Sequence, residues 1–229
     1  MEGLESFIFT EDIKREYRRN IENLIFYAYK QLVESSSRYS LESIKKEIRE
    51  QGKKTSRVPL EDYLTYDFVN LYLRPNRSRF GLQYIYISTQ ISEVKSNIEV
   101  GKIDIKFAEL SDNTYVIIEC KRLKNEAAKI DYYISDGIKR FTSKQYYPSI
   151  DQRYAGMIAF LEDAKPSAFE ILKNMNDNLD KRTDIKTIKL LTHDTRSPNY
   201  KFDSAHSVTG GYNIDVTHFW LDYSQLITI

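Results

Sequence analysis

The sequence predicts a mixed α/β fold, a central β-sheet flanked by helices with a helical extension at the N-terminus. Three observations lead there. Apolar residues recur at helical spacing through the first third of the chain. Beyond Gly81 the period shortens to the alternation of strands. Tyr154–Leu161 (YAGMIAFL) is a nearly continuous apolar run, which marks a strand covered on both faces.

Ile13, Tyr17, Ile21, Leu24, Ala28 and Leu32 share one helical face over Glu11–Glu34, with Glu, Lys and Arg filling the rest. Ser35, Ser36 and Ser37 break that helix. A second helix is expected from the N-cap Ser40 to Gln51, with Leu41, Ile44 and Ile48 inward and Gly52 as the stop. Residues 53–57 read as a basic linker. Pro59 starts a third helix through Leu60, Leu64, Phe68 and Leu71, expected to end near Leu73 because Pro75 disfavours helical geometry in Arg74. Strand character is expected from Leu82 onward, then over 100–110 and 114–122. Ser111, Asp112 and Asn113 supply a turn between the last two. Residues 126–141 return to helical spacing, as do 166–179, and 185–191, 200–207 and 212–221 read as closing strands.

At 229 residues the chain suits one large compact domain, with 1–57 as a helical segment packed on a core of 58–229. Charged residues at 29% and apolar residues at 41% exclude a mainly disordered chain. Eight Gly and five Pro exclude collagen-like or linker-like character. Cys120 is the single cysteine, so neither an internal disulfide nor a cysteine zinc cluster is available. No apolar run approaches the roughly 18 residues of a membrane span, and residues 1–10 lack the features of a signal peptide. A soluble, cytoplasmic protein with no membrane partner is the expectation. A net charge of +1 supplies no global field for a polyanion, so nucleic-acid contact would need local basic clusters. The 18 Tyr admit two readings, of which buried amphipathic rings are the simpler and base stacking the sharper.

The 100–122 hairpin carries the most chemistry. Alternation puts Glu119 and Lys121 on one face and Ile118 and Cys120 on the other. With the turn centred on Asp112 and Asn113, Asp104 falls opposite Lys121 and Lys106 opposite Glu119. Asp104, Glu119 and Lys121 then converge. Two carboxylates about 4–6 Å apart repel by a few kcal/mol at an intermediate dielectric. A hard cation such as Mg²⁺, or Mn²⁺ as its substitute, removes that conflict. Phosphodiester hydrolysis uses such equipment, a metal to activate water and a nearby cation to steady the developing charge.

Asp104, fourteen intervening residues, then Glu119-Cys120-Lys121 resembles the PD-(D/E)XK nuclease superfamily, the restriction-endonuclease-like fold. The resemblance covers about 59–161, with Ile103 standing where the name-giving Pro would be. It implies a metal-dependent nuclease in which Asp104 and Glu119 bind the ion and Lys121 is the catalytic lysine, with the Cys120 backbone carbonyl a further ligand. It also implies an acidic residue on the preceding helix completing the metal shell. Glu61 is the first candidate and Asp62 the second, although acidic residues also favour any first helical turn. The phrase Asp136-Gly137-Ile138-Lys139-Arg140-Phe141 and the strand after it look like restriction-type or defence-associated bacterial members.

Lys139 and Arg140 would follow the active strand, and Arg74, Arg77 and Arg79 form the densest basic loop; both sets are candidate nucleic-acid contacts, with a solvated surface as the plain alternative. His193, His206 and His218 match no metal-ligand spacing and are assigned strand-end hydrogen-bonding roles. His206 is the one that lies on a strand able to approach the site. Cys120 reads as a small core residue. The expected function is Mg²⁺-dependent endonuclease cleavage of DNA, or RNA, in restriction or phage defence, as a homodimer or with a defence partner protein. A catalytically inactive nucleic-acid-binding or assembly subunit of the same fold is the alternative.

Overall fold

A computed structural model describes residues 11–50, 60–95, 98–109, 115–147, 153–163, 168–195, 197 and 200–228. The expected linker at 53–57 and turn at 111–113 lie outside the described residues. The chain runs α1 (Glu11–Glu34), β1 (Tyr39–Ser40), α2 (Leu41–Glu50) and α3 (Leu60–Asp67), then β2 (Tyr86–Lys95), β3 (Ile98–Ala108) and β4 (Tyr115–Leu123). The second half holds α5 (Ala127–Tyr133), β5 (Tyr154–Leu161), α7 (Ala168–Lys181), β6 (Thr187–His193), β7 (Lys201–Val208), β8 (Tyr212–Asp222) and β9 (Ile227–Thr228). The short α4 (Arg74–Asn76) follows α3, and α6 (Lys139–Thr142) follows α5.

Seven strands form a mixed, mostly antiparallel sheet in the order β2-β3-β4-β5-β8-β7-β6. The pairs β4/β5 and β5/β8 are parallel. Alternation along the strands sorts side chains into two apolar layers. Ile105, Phe107, Cys120, Ile158, Phe160 and Phe219 pack under α1 and α3. Ile117, Met157, Ala159, Val216 and Trp220 pack under α5, α6 and α7. Every residue of β5 is buried, as expected of a strand between two helical layers. The α1 stripe, Tyr17, Ile21, Leu24, Ala28 and Leu32, is spent on this same core.

The third helix does not stop at Leu73. It widens into a π-helical stretch over Phe68–Leu73, continues as α4 and closes in a 3-10 turn at Arg77–Phe80. The Arg74 N–H reaches back five residues to the Val69 carbonyl. This wider turn relieves the clash a proline ring makes with the carbonyl four residues earlier, so Pro75 is absorbed. Gly81, at φ +70°, ends the run in the left-handed conformation, and the strand begins at Tyr86 rather than Leu82. Two-residue strands carry no readable period, and the parallel pair β1/β9 is an addition to the sequence reading.

The hairpin register also differs. Lys106 pairs with Ile117 and Ile105 with Ile118, so continuing the ladder brings Asp104 level with Glu119, not Lys121. The slip is two residues, which leaves the paired side chains on their expected faces, whereas Ile103 beyond them packs in the layer opposite to that of Ile105.

A carboxylate and lysine cluster in a strand fork

The site forms where β3 parts from β4. The paired register ends at Ile105 and Ile118, and beyond it the N–H groups of Cys120 and Arg122 face the gap with no strand partner there. Carboxylates take their place. Asp104 Oδ2 accepts the Cys120 N–H at 2.8 Å, and Glu61 Oε2 accepts the Arg122 N–H at 2.9 Å. On the outer side, Gln90 adopts φ +53° and drops out of the β2/β3 ladder between the Thr89 and Ile91 pairs. Its Nε2 donates to Asp104 Oδ1 at 3.2 Å and to Asp62 Oδ1 at 3.4 Å. The strand turns over here, since Ile103 packs in one apolar layer and Ile105 in the other.

Lys121 rises from β4 into the centre of this fork. Its Nζ lies 2.5 Å from Glu119 Oε1, 3.0 Å from the Cys120 carbonyl oxygen, 3.3 Å from Glu61 Oε1 and 3.9 Å from Asp104 Oδ2. Asp136 Oδ2 stands 3.6 Å away and the Tyr132 ring centroid 5.4 Å. Glu119 is wholly buried and Lys121 only 2% exposed. Glu119 also meets Arg140 Nη1 at 3.1 Å and receives the Tyr146 hydroxyl. Arg140 in turn holds Asp136 at 2.8 Å and Tyr146 at 2.7 Å.

Burial and the facing Glu119 push the Asp104 carboxyl well up from its ordinary range. Burial raises Glu119 as well, against the pull of Lys121 and Arg140. For Lys121, burial acts to lower the pKa, but Glu119, Asp104 and Glu61 together outweigh it, so the amine is held as an ammonium. Four carboxylates lie within 4 Å of Lys121 Nζ, against the two cations Lys121 and Arg140, which leaves a formal charge of −2.

No described set of three or more His, Cys, Asp and Glu side chains is arranged as a metal-binding group. The geometry accounts for this. The oxygens of Asp104, Glu119, Glu61 and Cys120 all face one point, and the Lys121 ammonium occupies it. The donors are hard oxygens of a type that can hold a cation. The chain matches no family model, no curated protein and no solved structure. Its chemistry is therefore argued from this cluster.

The cluster contains Asp104, Glu119, Lys121 and Glu61, with Asp62 one contact further out. The basic candidates are placed differently. Arg74, Arg77 and Arg79 lie on the helical run rather than a loop: Arg74 Nε donates to the Ile87 carbonyl at 2.7 Å, Arg77 to the Arg74 carbonyl at 3.1 Å, and Arg79 covers the Tyr27 ring at 4.8 Å. Lys139 pairs with Asp184 at 2.8 Å. Arg140 points inward at Glu119. Cys120 is fully buried on the opposite face, as expected, and burial raises its thiol pKa.

His206 and His218 are not strand-end residues. They lie within β7 and β8 in a buried chain: Thr187 Oγ1 to His206 Nδ1 at 3.2 Å, His206 Nε2 to Ser204 Oγ at 2.8 Å, Ser204 Oγ to His218 Nε2 at 2.8 Å, and His218 Nδ1 to Tyr133 at 2.9 Å. The chain ends on α5, one residue from Tyr132 beside the cluster. His193 packs against Phe169 and Phe202.

Sequence reasoning missed Gln90, Asp136, Tyr132 and Tyr146. Asp136 carried one signal, its spacing of four residues from Arg140, which puts both on one helical face. It sits on a π-helical stretch, Ile134–Ile138, whose Gly137 lets the helix come close: a Cβ there would overlap Met157 Cε and lie 3.8 Å from Lys121 Cγ.

Proposed function

We propose that the chain is a divalent-metal-dependent endonuclease of restriction-endonuclease-like fold that hydrolyses phosphodiester bonds of DNA. The observation that carries the reading is the convergence of Asp104, Glu119, Glu61 and the Cys120 carbonyl on the Lys121 ammonium within the β3/β4 fork. The element order supports the reading: a helix (α3) precedes the strand meander β2-β3-β4 that carries these residues, and a helix (α5) and a further strand (β5) follow it.

Asp104, Glu119, Glu61 and the Cys120 carbonyl would hold the ion, whose two charges balance the formal excess of two on the cluster. When bound, Mg²⁺ supplies Lewis acidity to the phosphate and lowers the pKa of attacking water. Lys121 yields the central point and turns toward Asp136 and Tyr132, from where its ammonium orients the nucleophile and steadies charge on the phosphate. Arg140 and Tyr146 fix the Glu119 carboxylate, and Gln90 fixes Asp104, so the ligands are held before substrate arrives. A two-fold dimer would place two such sites on opposite strands of a duplex, the simplest route to double-strand cleavage in restriction or phage defence.

Plasmid nicking with Mg²⁺ or Mn²⁺, with and without EDTA, tests this. Cutting should require the metal and be lost in Asp104→Ala and Lys121→Ala. Undiminished cutting by either variant defeats the assignment. One observation favours the second reading, an inactive nucleic-acid-binding subunit: Glu119 is sealed on every side by Lys121, Arg140 and Tyr146. DNA binding that needs no metal and leads to no turnover would support it.

A further inference from the structure

The cross-strand register lines up a second group of side chains with the carboxylate cluster. Ile87, Phe107 and Val116 form one row, and Thr89, Ile105 and Ile118 another. Five of these six lie in the apolar layer under α1 and α3. The rows between them point to the other face. There, Tyr86, Ala108 and Tyr115 form one row and Ser88, Lys106 and Ile117 the next, and the fork that holds Asp104 opens two residues further along β3.

Tyr86 is 61% exposed, and Tyr84, two residues before it, is 73% exposed. Ala108 stands between Tyr86 and Tyr115 in this row and is itself buried, at 8% exposed, so the exposed surface of the row is that of Tyr86. Strands lie about 4.8 Å apart, so the stems of the two tyrosines are separated by about 9–10 Å across that small floor. Tyr115 is backed by the Tyr147 ring at 5.4 Å, and the Lys106 ammonium lies 4.3 Å from its centroid. One ring is thus held in place and the other offers an open π-face, with a cation in the adjoining row. From Ala108 to Asp104 is four residues, about 13 Å at the strand rise, or about four stacked nucleotides at 3.4 Å each.

We propose that Tyr86, with Ala108 and Tyr115 beside it and Lys106 between it and the carboxylates, is a nucleobase-stacking subsite for single-stranded DNA. The ligand class follows from the chemistry. An exposed aromatic ring recognises the face of an unpaired base, and a neighbouring ammonium recognises the backbone phosphate that accompanies it. In a duplex those faces are already stacked on neighbouring pairs. The subsite rests on the nuclease reading for the identity of its polymer and adds to it a preference for unpaired strand about four nucleotides from the cleavage point.

The test is fluorescence anisotropy of a fluorescein-labelled single-stranded oligodeoxynucleotide titrated with full-length protein in EDTA, where nothing is cut. Tyr86→Ala should weaken binding about 5- to 150-fold, the range for loss of one base–aromatic stack, while Tyr86→Phe and Tyr86→Trp retain it. Emission from Tyr86→Trp should be quenched by the oligonucleotide, since the native Trp220 is only 2% exposed. Thermal unfolding of each variant checks that this exposed position leaves the fold intact. Equal affinity of Tyr86→Ala and wild type overturns the subsite, as does an equal loss against a blunt duplex, which would mean a general backbone contact. Wild-type cutting of DNA alongside either result leaves the nuclease reading standing, whereas neither cutting nor binding by wild type removes both.

Discussion

Lys121→Met removes the ammonium and keeps most of the side-chain volume, and its effect follows from the fork geometry. In the native cluster the Nζ neutralises Glu119, fully buried, and Asp104, 6% exposed, at 2.5 and 3.9 Å. Without it, Asp104 retains only the Gln90 amide and the Cys120 N–H, and Glu119 retains Arg140 and Tyr146. Removing one member of a buried ion pair costs about 3–5 kcal/mol, because the uncompensated charge stays in a poorly hydrated place. For a chain of this size each kcal/mol moves Tm by about 2–4 °C, so a fall of about 6–20 °C is expected in metal-free buffer. Differential scanning fluorimetry after EDTA treatment measures it. Added Mn²⁺ should then restore the variant, by about 2.7 kcal/mol at a hundredfold excess over Kd, and should raise it more than wild type, whose ammonium competes for the same point. A variant as stable as wild type without metal, or one that Mn²⁺ does not raise, would refute the view that Lys121 holds a cation's place.

Three further outcomes follow from the same structure. Tyr146→Phe deletes the hydroxyl given to Glu119 and to the Lys102 carbonyl, and should cost about 1–3 kcal/mol in urea unfolding with the m-value unchanged. Burial lowers the His206 pKa to about 4 from an ordinary 6.5, so the folded state binds this proton less readily than the unfolded state. Its contribution is complete above 6.5 and is lost as pH falls toward 4. This one imidazole contributes about 2 kcal/mol less at pH 5 than at pH 8, a part of the pH dependence that His206→Leu should remove in paired urea titrations. Gly137→Ala should shift Tm by no more than the equivalent of about 1 kcal/mol, because its Cβ overlaps the terminal methyl of Met157, a flexible side chain that can swing aside, and alanine favours the helix.

Alternation along β4 is enough to place Glu119 and Lys121 together and Cys120 away from them, so the heart of the cluster can be read from the sequence. A register error of two residues does no harm there, because the side-chain period of a strand is two. The three helices of the first third and the doubly covered β5 are legible for the same reason, since each has an unbroken apolar period. What escapes is whatever depends on an interruption. Gln90 enters the site only because its left-handed conformation lifts it out of the ladder, and nothing in its neighbours foretells that. Asp136 turns inward on the π-helical stretch Ile134–Ile138, which shifts the phase of the helix for Arg140 on the following α6, so Arg140 reads from sequence as a surface residue. Arg74, Arg77 and Arg79 read as a loop because Pro75 ordinarily ends a helix, and here a wider turn carries the helix past it.

The central claim is that the fork between β3 and β4 is a divalent-cation site held in waiting by Lys121. Anomalous scattering from a crystal soaked in Mn²⁺ tests it most directly. The account predicts a peak bonded at about 2.1 Å to oxygens of Asp104 and Glu119 and to the Cys120 carbonyl, with Lys121 Nζ moved off that point toward Asp136. A fork with no peak, and Lys121 still centred among the carboxylates, would contradict it.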